Sequence, residues 1–231
     1  MKLEDVTKGP KRSYDDACGL AHGLDLIGER WALLVMRELM LGPKRFSDLR
    51  ADLPGISANV LTQRLEGLEA SNILVRRRLP PPASAQVYEL TEWGYEAEPI
   101  VQTLGRWAAR SPQHDPTLPI SAVSILLSFR TMFDPLRAAG FTSVIGFRFG
   151  QESYRAWVDG SELRVERGDP VDACLIFIGA PTALAALVYG GAPLGRLAAE
   201  DLLRVEGDPA IAARFATFFT LPPKFEPGSA S

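Results

Sequence analysis

The chain has 231 residues, of which 46% are hydrophobic and 23% charged, and its formal net charge is −3. This composition is that of a globular protein with one large domain or two modest ones, and we expect two. Cys18 and Cys174 lie far apart and form no CxxC or histidine-associated cluster, so neither a disulfide framework nor a metal site is expected. No run of eighteen apolar residues occurs and the polar N-terminus is unlike a signal peptide, which predicts a cytoplasmic protein without a membrane segment.

The first half is predicted to be mainly helical with one pair of strands. Apolar residues at helical spacing, caps such as Ser13 and Ser57, and breaks at Gly42-Pro43 and Pro54-Gly55 divide it into elements. The predicted helices span residues 14–23, 25–41, 46–53, 57–71 and 92–110, and the predicted strands span residues 73–79 and 87–91. This order, with a loop between the two strands, is that of a winged helix-turn-helix.

The negative charge is concentrated in the second half of the chain. Residues 1–113 contain 15 basic and 15 acidic residues, whereas residues 114–231 contain 10 and 13. Screening limits electrostatic attraction to about 8–10 Å at ordinary salt, so local rather than total charge decides whether a phosphate backbone is attracted. In the first half the cations gather at Lys44, Arg45, Arg50, Arg64 and residues 76–78. The net charge therefore does not exclude a nucleic-acid partner.

The predicted helix at residues 57–71 carries the clearest functional signal. Its Leu61, Leu65 and Leu68 face a core, which turns a polar side outward. A helix fits the major groove of DNA and reads base edges near its N-terminus, while flanking cations hold phosphates. The alternative is a solvated helix face beside a charged edge strand. We predict DNA contacts for Lys44, Arg45, Ser57, Ala58, Asn59, Thr62, Gln63, Arg64, Arg76, Arg77 and Arg78.

The first half resembles the HxlR-type winged helix regulators. Beginning at Cys18, the resemblance rests on the segments LIGERW (26–31), MREL (36–39), GPKRFSDL (42–49), PGIS (54–57), VLTQRLEGLE (60–69) and YELTEWG (88–94). It implies that residues 1–111 bind double-stranded DNA and form a homodimer through the helices at 14–23 and 92–110. It also implies repression at a palindromic operator, with two recognition helices in successive major grooves about 34 Å apart.

The second half is predicted to be an α+β domain with a mostly antiparallel sheet. A linker at residues 112–118 leads into this domain at 119–222, and a flexible tail follows at 223–231. The Asp159-Gly160 pair predicts a tight hairpin. Helices are predicted at residues 120–138, 181–189 and 209–220, and strands at 144–149, 154–158, 162–166, 173–178 and 202–206.

This second domain resembles the sterol-carrier-protein fold in the segments YRAWVDG (154–160), DACLIFIG (172–179) and LRVEGDPAIAARFATFF (203–219). The resemblance implies an apolar cavity for a hydrophobic small molecule that modulates DNA binding. A structural or dimerising role is the alternative, because aromatic residues often simply fill a core. The candidate cavity residues are Phe129, Phe133, Phe147, Phe149, Trp157 and Phe177.

Three further interpretations compete with a ligand-modulated regulator. Cys18 occupies the cysteine position of this family's first helix, where a thiol senses oxidants or electrophiles in some relatives, although a lone helical cysteine is more often a buried hydrophobe. A lipid or metabolite carrier would use the winged helix only as a dimer platform. An enzyme is disfavoured, and no cofactor is expected, because the chain has only two histidines and lacks the GxSxG, P-loop, HExxH and dinucleotide-binding motifs.

Overall fold

The computed structural model describes residues 13–81 and 84–226, so the first twelve residues of the predicted first domain lie outside the described residues. The first half has the predicted winged helix-turn-helix order, and the antiparallel pair β1 and β2 forms the wing. Its elements are α1 (Gly19–Ile27), α2 (Ala32–Leu39), α3 (Phe46–Asp52), α4 (Ala58–Ala70), β1 (Leu74–Arg78), β2 (Gln86–Leu90), α5 (Glu92–Tyr95) and α6 (Glu98–Ala109).

The first two helices begin and end at other residues than predicted. α1 starts after Cys18 and continues through Gly23, which the sequence pattern indicates as an end. Packing of Leu26 and Ile27 on the core outweighs the low helix propensity of one glycine, which costs about 1 kcal/mol. The long helix predicted at 25–41 is broken because the partly buried Trp31 has a left-handed backbone, with φ of 80°.

Prolines divide two other predicted helices. Pro99 lies in the first turn of α6, so residues 92–110 form two helices rather than one. In the second half, Pro135 begins the short helix α8 (Pro135–Ala138) and separates it from α7 (Ala122–Met132). Proline lacks the N–H that would continue a helix, yet it is well tolerated in the first turn of a new one.

The second half is an α+β domain built on a five-stranded sheet with the strand order β5-β4-β3-β6-β7. The β3–β6 pair is parallel and the other pairs are antiparallel, which agrees with the predicted fold class. The Asp159 carboxylate accepts hydrogen bonds from the N–H groups of Ser161 (3.1 Å) and Glu162 (2.9 Å) in the predicted hairpin turn. The strands are β3 (Ser143–Phe149), β4 (Glu152–Val158), β5 (Leu163–Arg167), β6 (Leu175–Gly179) and β7 (Leu203–Gly207).

Helices pack on this sheet around a core of phenylalanine rings. Besides α7 and α8 they are α9 (Pro181–Val188), α10 (Leu194–Ala199) and α11 (Pro209–Ala216); α10 was not predicted, because six residues are too few to show a periodicity. Neighbouring ring centroids in the core lie 4.3 to 6.4 Å apart, a normal spacing for packed aromatic side chains. The fully buried or nearly buried rings are Phe129, Phe147, Phe177, Phe215, Phe218 and Phe219.

A buried ionic cluster joins the two halves. The Lys44 side chain is 1% exposed, and its ammonium pairs with Glu38 (3.3 Å), Glu152 (3.4 Å) and Asp52. Glu38 lies on α2 and Asp52 ends α3, whereas Glu152 begins β4 in the second half. The Ser121 hydroxyl, at the N-cap of α7, donates to the other oxygen of Glu38 at 2.7 Å. These contacts hold the two halves in one arrangement.

Two arginines complete the charge balance of this cluster. Arg37 donates to Glu38 at 2.7 Å and 2.9 Å, and Arg167 donates to Glu152 at 2.8 Å. Burial alone would lower the pKa of Lys44, but the attraction of its three carboxylate partners outweighs burial and raises that pKa above its ordinary value. The ammonium therefore stays charged although it is buried.

The connection between the halves is also tied down at the C-terminal end of the described chain. The Lys224 ammonium donates to the carbonyl oxygens of Ala109, Ser111 and His114 at 3.0 to 3.1 Å, and it satisfies the end of α6. Residues 223–226 of the predicted flexible tail thus run along the connecting segment, and residues 227–231 lie outside the described residues. The proposed domain bounds at 111 and 119 stay predictions.

We predict that Lys44→Ala lowers the free energy of unfolding by about 3–5 kcal/mol, because it leaves the buried Glu38 carboxylate without its ammonium partner. Urea denaturation followed by circular dichroism measures the change. Arg45→Ala is the matched control, because Arg45 is the adjacent cation and is exposed. Its removal should change the free energy of unfolding by less than about 0.5 kcal/mol. Equal stabilities of the two variants would show that the cluster does not hold the fold.

Candidate nucleic-acid interface

The N-terminal half of α4 presents a polar, exposed face. The Ser57 hydroxyl caps the helix by accepting a hydrogen bond from the Val60 N–H at 3.3 Å. Asn59, Thr62 and Gln63 are exposed, and Ala58 beside them is half-buried. On the opposite side Leu61, Leu65 and Leu68 are buried in the core. The outward face predicted from the apolar spacing is therefore the exposed face of this helix.

Cations flank this face on the preceding helix. Arg45 stands at the N-cap of α3 and is exposed, and its backbone N–H donates to the Asp48 carboxylate at 3.3 Å. Arg50, near the other end of α3, is also exposed, and neither arginine takes part in an ion pair within the described ranges. Both guanidinium groups are thus available to phosphate oxygens.

The three wing arginines make weak contacts with their neighbours. Arg76 pairs with Glu69 at 3.1 Å, Arg77 pairs with Glu89 at 2.5 Å, and Arg78 donates to the backbone oxygen of Ser84 at 3.3 Å. Exposed ion pairs of this kind contribute about 0–1 kcal/mol, so a phosphate can replace the acidic partner at little cost. Residues alternate along a strand, and Arg76 and Arg78 therefore share one side of the wing while Arg77 lies on the other.

Two of the residues predicted to contact DNA, Lys44 and Arg64, do not lie on the exposed face of α4 or beside it. The prediction for Lys44 is wrong, because its ammonium is enclosed by carboxylates of both halves and lies in the interior. Arg64 turns away from the exposed face of α4, and its guanidinium pairs with Glu29 at 3.2 Å with 20% of the side chain exposed. Arg64 therefore braces α4 against the α1–α2 turn. Glu38, the buried partner of Lys44, can be recognised in the sequence by one feature only. It is a carboxylate that directly precedes the core residue Leu39.

Cys18 is an exposed thiol at the N-cap of α1. The backbone N–H groups of Leu20 and Ala21, in the first turn of α1, favour the thiolate and hold the pKa of Cys18 below its ordinary value. A greater fraction of this thiol is therefore deprotonated at neutral pH than in an ordinary exposed cysteine. Cys174 is exposed as well and directly precedes β6 in the second half.

The six predicted cavity residues do not surround one cavity. Phe129, Phe147 and Phe177 are completely buried and pack ring to ring, so they fill the core and leave no space for a ligand between them. Phe133 is half-buried against Phe218 and Phe219. Phe149 is buried with its ring stacked on Phe147 at 6.1 Å, and it also lines a cleft between the two halves, whereas Trp157 lines a separate cleft at the edge of the sheet.

The helices predicted to join two copies expose large apolar side chains. On α6 the exposed fractions are 53% for Ile100, 44% for Leu104 and 71% for Trp107, and on α1 Leu20 and Leu24 are exposed too. Contiguous apolar surface of this kind is typical of an interface. The helical spacing in the sequence indicates such a face on α6, but only the structure distinguishes an exposed face from a core-facing one.

The described residues contain neither a metal-binding cluster nor a membrane-spanning helix. No group of three or more His, Cys, Asp or Glu side chains within residues 13–81 and 84–226 is placed to hold a metal ion. Over the same residues, none of the helices has the length and apolar character needed to cross a bilayer.

Known proteins match the first half of the chain. The family model described as HxlR-like helix-turn-helix matches residues 26–115. The HTH-type transcriptional regulator YodB of Bacillus subtilis (strain 168) is 39% identical over 83 residues, which cover 36% of this chain and 74% of YodB. The uncharacterized HTH-type transcriptional regulator YkvN of the same organism is 38% identical over 94 residues, covering 39% of this chain and 77% of YkvN.

Solved structures match the same share of the chain. The redox regulator HypR in its reduced form is 33% identical, with 39% of this chain and 90% of that chain covered and a TM-score of 0.37. The reduced form of YodB from B. subtilis is 33% identical, with 43% of this chain and 100% of that chain covered and a TM-score of 0.38.

The family model ends at residue 115, so the α+β domain lies outside it. Within the matched part, both regulators align over about three quarters of their own length at more than one third identity. The chain therefore belongs to the HxlR-like helix-turn-helix family of transcriptional regulators.

Proposed function

We propose that the chain is a homodimeric repressor that inserts the N-terminus of α4 into the major groove of a palindromic operator. The observation that carries this proposal is the exposed polar face of α4, with Asn59, Thr62 and Gln63, between the cations of α3 and the wing. Asn and Gln side chains pair bidentately with adenine, and Thr contacts several bases. The arginines of α3 and of the wing supply contacts to phosphates.

The proposed dimer uses the apolar side chains on α1 and α6. Ile100 and Trp107 have more than half of their surface exposed in the single chain, and a second copy would remove that surface from water. A two-fold axis between these helices would present two α4 helices to DNA, and a palindromic site requires such symmetry.

We predict that Gln63→Ala weakens operator binding by about 1–3 kcal/mol and relaxes the preference at one base pair, because a base contact is lost. Fluorescence anisotropy with a duplex from upstream of the chain's own gene, compared with an unrelated duplex, measures both effects. Equal losses on the two duplexes would contradict a base-reading role.

Arg77→Ala should instead weaken binding to every duplex. It should also reduce the slope of log affinity against log salt concentration by about 1, because one phosphate contact is lost. The matched control is Arg164→Ala, which removes an exposed arginine from β5 in the second half and should change neither quantity. A selective loss on the operator alone would contradict the assignment of Arg77 to the backbone.

Substitution of Ile100 by Glu should raise the dissociation constant of the dimer at least tenfold, because association would bury a carboxylate without a partner. Analytical ultracentrifugation measures the constant. Leu136→Glu is the control, since Leu136 on α8 is 88% exposed and lies outside the proposed interface. The proposed interface is refuted if Ile100→Glu associates as tightly as the wild type.

A second candidate function is electrophile sensing through Cys18, which its exposure and lowered pKa favour. The thiolate sulfur would add to a ring carbon of a quinone and form a C–S bond as a ring C=C π bond breaks. One proton from water would be taken up on one quinone oxygen, and the hydrogen on the attacked carbon would move to the other oxygen, which gives the hydroquinone thioether without a separate oxidant. A charged or bulky adduct at the start of α1 would then disturb the proposed dimer helices.

We expect p-benzoquinone to modify Cys18 and to reduce DNA affinity at least fivefold. Intact-protein mass spectrometry and anisotropy measure the two effects. Cys18→Ser should abolish the change in affinity, whereas Cys174→Ser removes the other exposed thiol and should preserve it. An unchanged response in Cys18→Ser would rule out this sensor.

Modulation of DNA binding by a hydrophobic small molecule also stays part of the proposal. The packed phenylalanine core does not offer the site expected for that molecule, and a cavity at the junction of the halves is better suited.

A further inference from the structure

A cavity of about 510 Å³ lies where α6 of the first half meets α7 and α9 of the second. Its volume is within the range of about 300–1,000 Å³ that is usual for small-molecule sites. Val101 and Ala108 line it from α6, Leu127 and Met132 from α7, and Tyr189 from the end of α9. Both halves of the chain therefore contribute to its wall.

The lining is mainly apolar, and the charged groups beside it are already paired. Arg37 is bound to Glu38 in the ionic cluster, and the Asp115 carboxylate accepts hydrogen bonds from the backbone N–H (2.9 Å) and the hydroxyl (2.6 Å) of Thr117. A charged ligand would lose its hydration without gaining an unpaired counterion, which is costly. The cavity therefore suits a neutral molecule.

One polar pair faces this cavity. The Ser128 and Tyr189 hydroxyl oxygens lie 2.7 Å apart, and both residues line the cavity. One hydrogen bridges the two oxygens, and the other hydrogen has no further acceptor among the described residues. Burial raises the pKa of Tyr189 well above its ordinary value, so the phenol stays protonated and retains that hydrogen. The pair can thus donate one hydrogen bond to an occupant.

We infer that this cavity binds a neutral, largely apolar small molecule that carries one hydrogen-bond acceptor, such as a ketone or ester oxygen, placed against the Ser128–Tyr189 pair. This inference deepens the proposed function, because it assigns a place and a chemical class to the effector. It moves the effector from the interior of the α+β domain to the junction with the DNA-binding half.

The position of the cavity gives its occupant a route to the rest of the molecule. α6 forms one wall, and the same helix exposes Ile100 and Trp107 for the proposed dimer. A molecule that fills the cavity would favour one position of α6, and so one arrangement of the two copies.

Prodan, a neutral naphthalene with one ketone oxygen, is a suitable probe because its emission reports both polarity and hydrogen bonding. Titration of the full chain should give saturable binding of one probe per chain with blue-shifted emission. The double variant S128A/Y189F keeps the apolar wall and removes both hydroxyls, and it should bind prodan about five- to tenfold more weakly.

Gly105→Leu tests the position of the site. Gly105 lines the cavity on α6, and apart from its own chain neighbours and helix backbone no atom lies within 4 Å of the place its Cβ would occupy, so the helix wall has room for a side chain to begin there. The substitution should weaken prodan binding at least tenfold, and leucine also favours the helix more than glycine does. Gly195→Leu on α10 is the matched control, because its Cβ position is equally open and Gly195 does not line the cavity.

Absence of saturable binding, or unchanged affinity in both Gly105→Leu and the double variant, would overturn the proposal. If prodan binding increased as the protein is diluted into monomers, the cavity would be the place where a second copy of the chain docks. That result would also overturn the proposal. The titration contains no DNA, so a failure of the proposed operator binding would appear only in the anisotropy measurements and is distinguishable from a failure of this site.

Discussion

The Lys44 ammonium is the contact on which the arrangement of the two halves depends. It holds carboxylates from α2, α3 and β4 at one point, while Ser121 and Arg37 donate to the other oxygen of Glu38 and Arg167 donates to Glu152. A buried charge is tolerated only when it is paired, and separation of the halves would break the Lys44–Glu152 pair and the hydrogen bond from Ser121 to Glu38. The α+β domain is thereby fixed to α2 and α3, which also carry α4.

This constraint limits how an effector can act. A hinge between the halves would have to break the buried cluster, whereas a small displacement of α6 leaves Lys44 and Glu38 in place. An effector of the proposed dimer is therefore expected to change the arrangement of the two copies rather than the arrangement of the two halves of one chain. The junction cavity fits this requirement, because α6 contributes both to the cavity and to the exposed apolar face, and Leu104 belongs to both.

Local sequence signals predict the DNA-binding elements well. The Ser57 cap and the spacing of Leu61, Leu65 and Leu68 define α4, and the two short strand-like runs on either side of the Pro-rich loop define the wing. Long-range contacts decide the rest. Lys44 and Arg45 are adjacent cations with the same local signal, yet one is buried and the other exposed, because the carboxylates around Lys44 come from three different elements, and Glu152 on β4 belongs to the other half of the chain. No local pattern contains that difference.

The aromatic core and the charge distribution together favour a regulator over a carrier. A carrier needs space inside the α+β domain, but Phe129, Phe147 and Phe177 fill that interior. The second half also holds the surplus of acidic residues, while the exposed arginines of α3 and the wing lie in the first half. In the proposed function, phosphates attract the arginines and repel the acidic half, so the charges would orient the chain with α4 toward DNA and the α+β domain away from it. A carrier has no need of such an asymmetry.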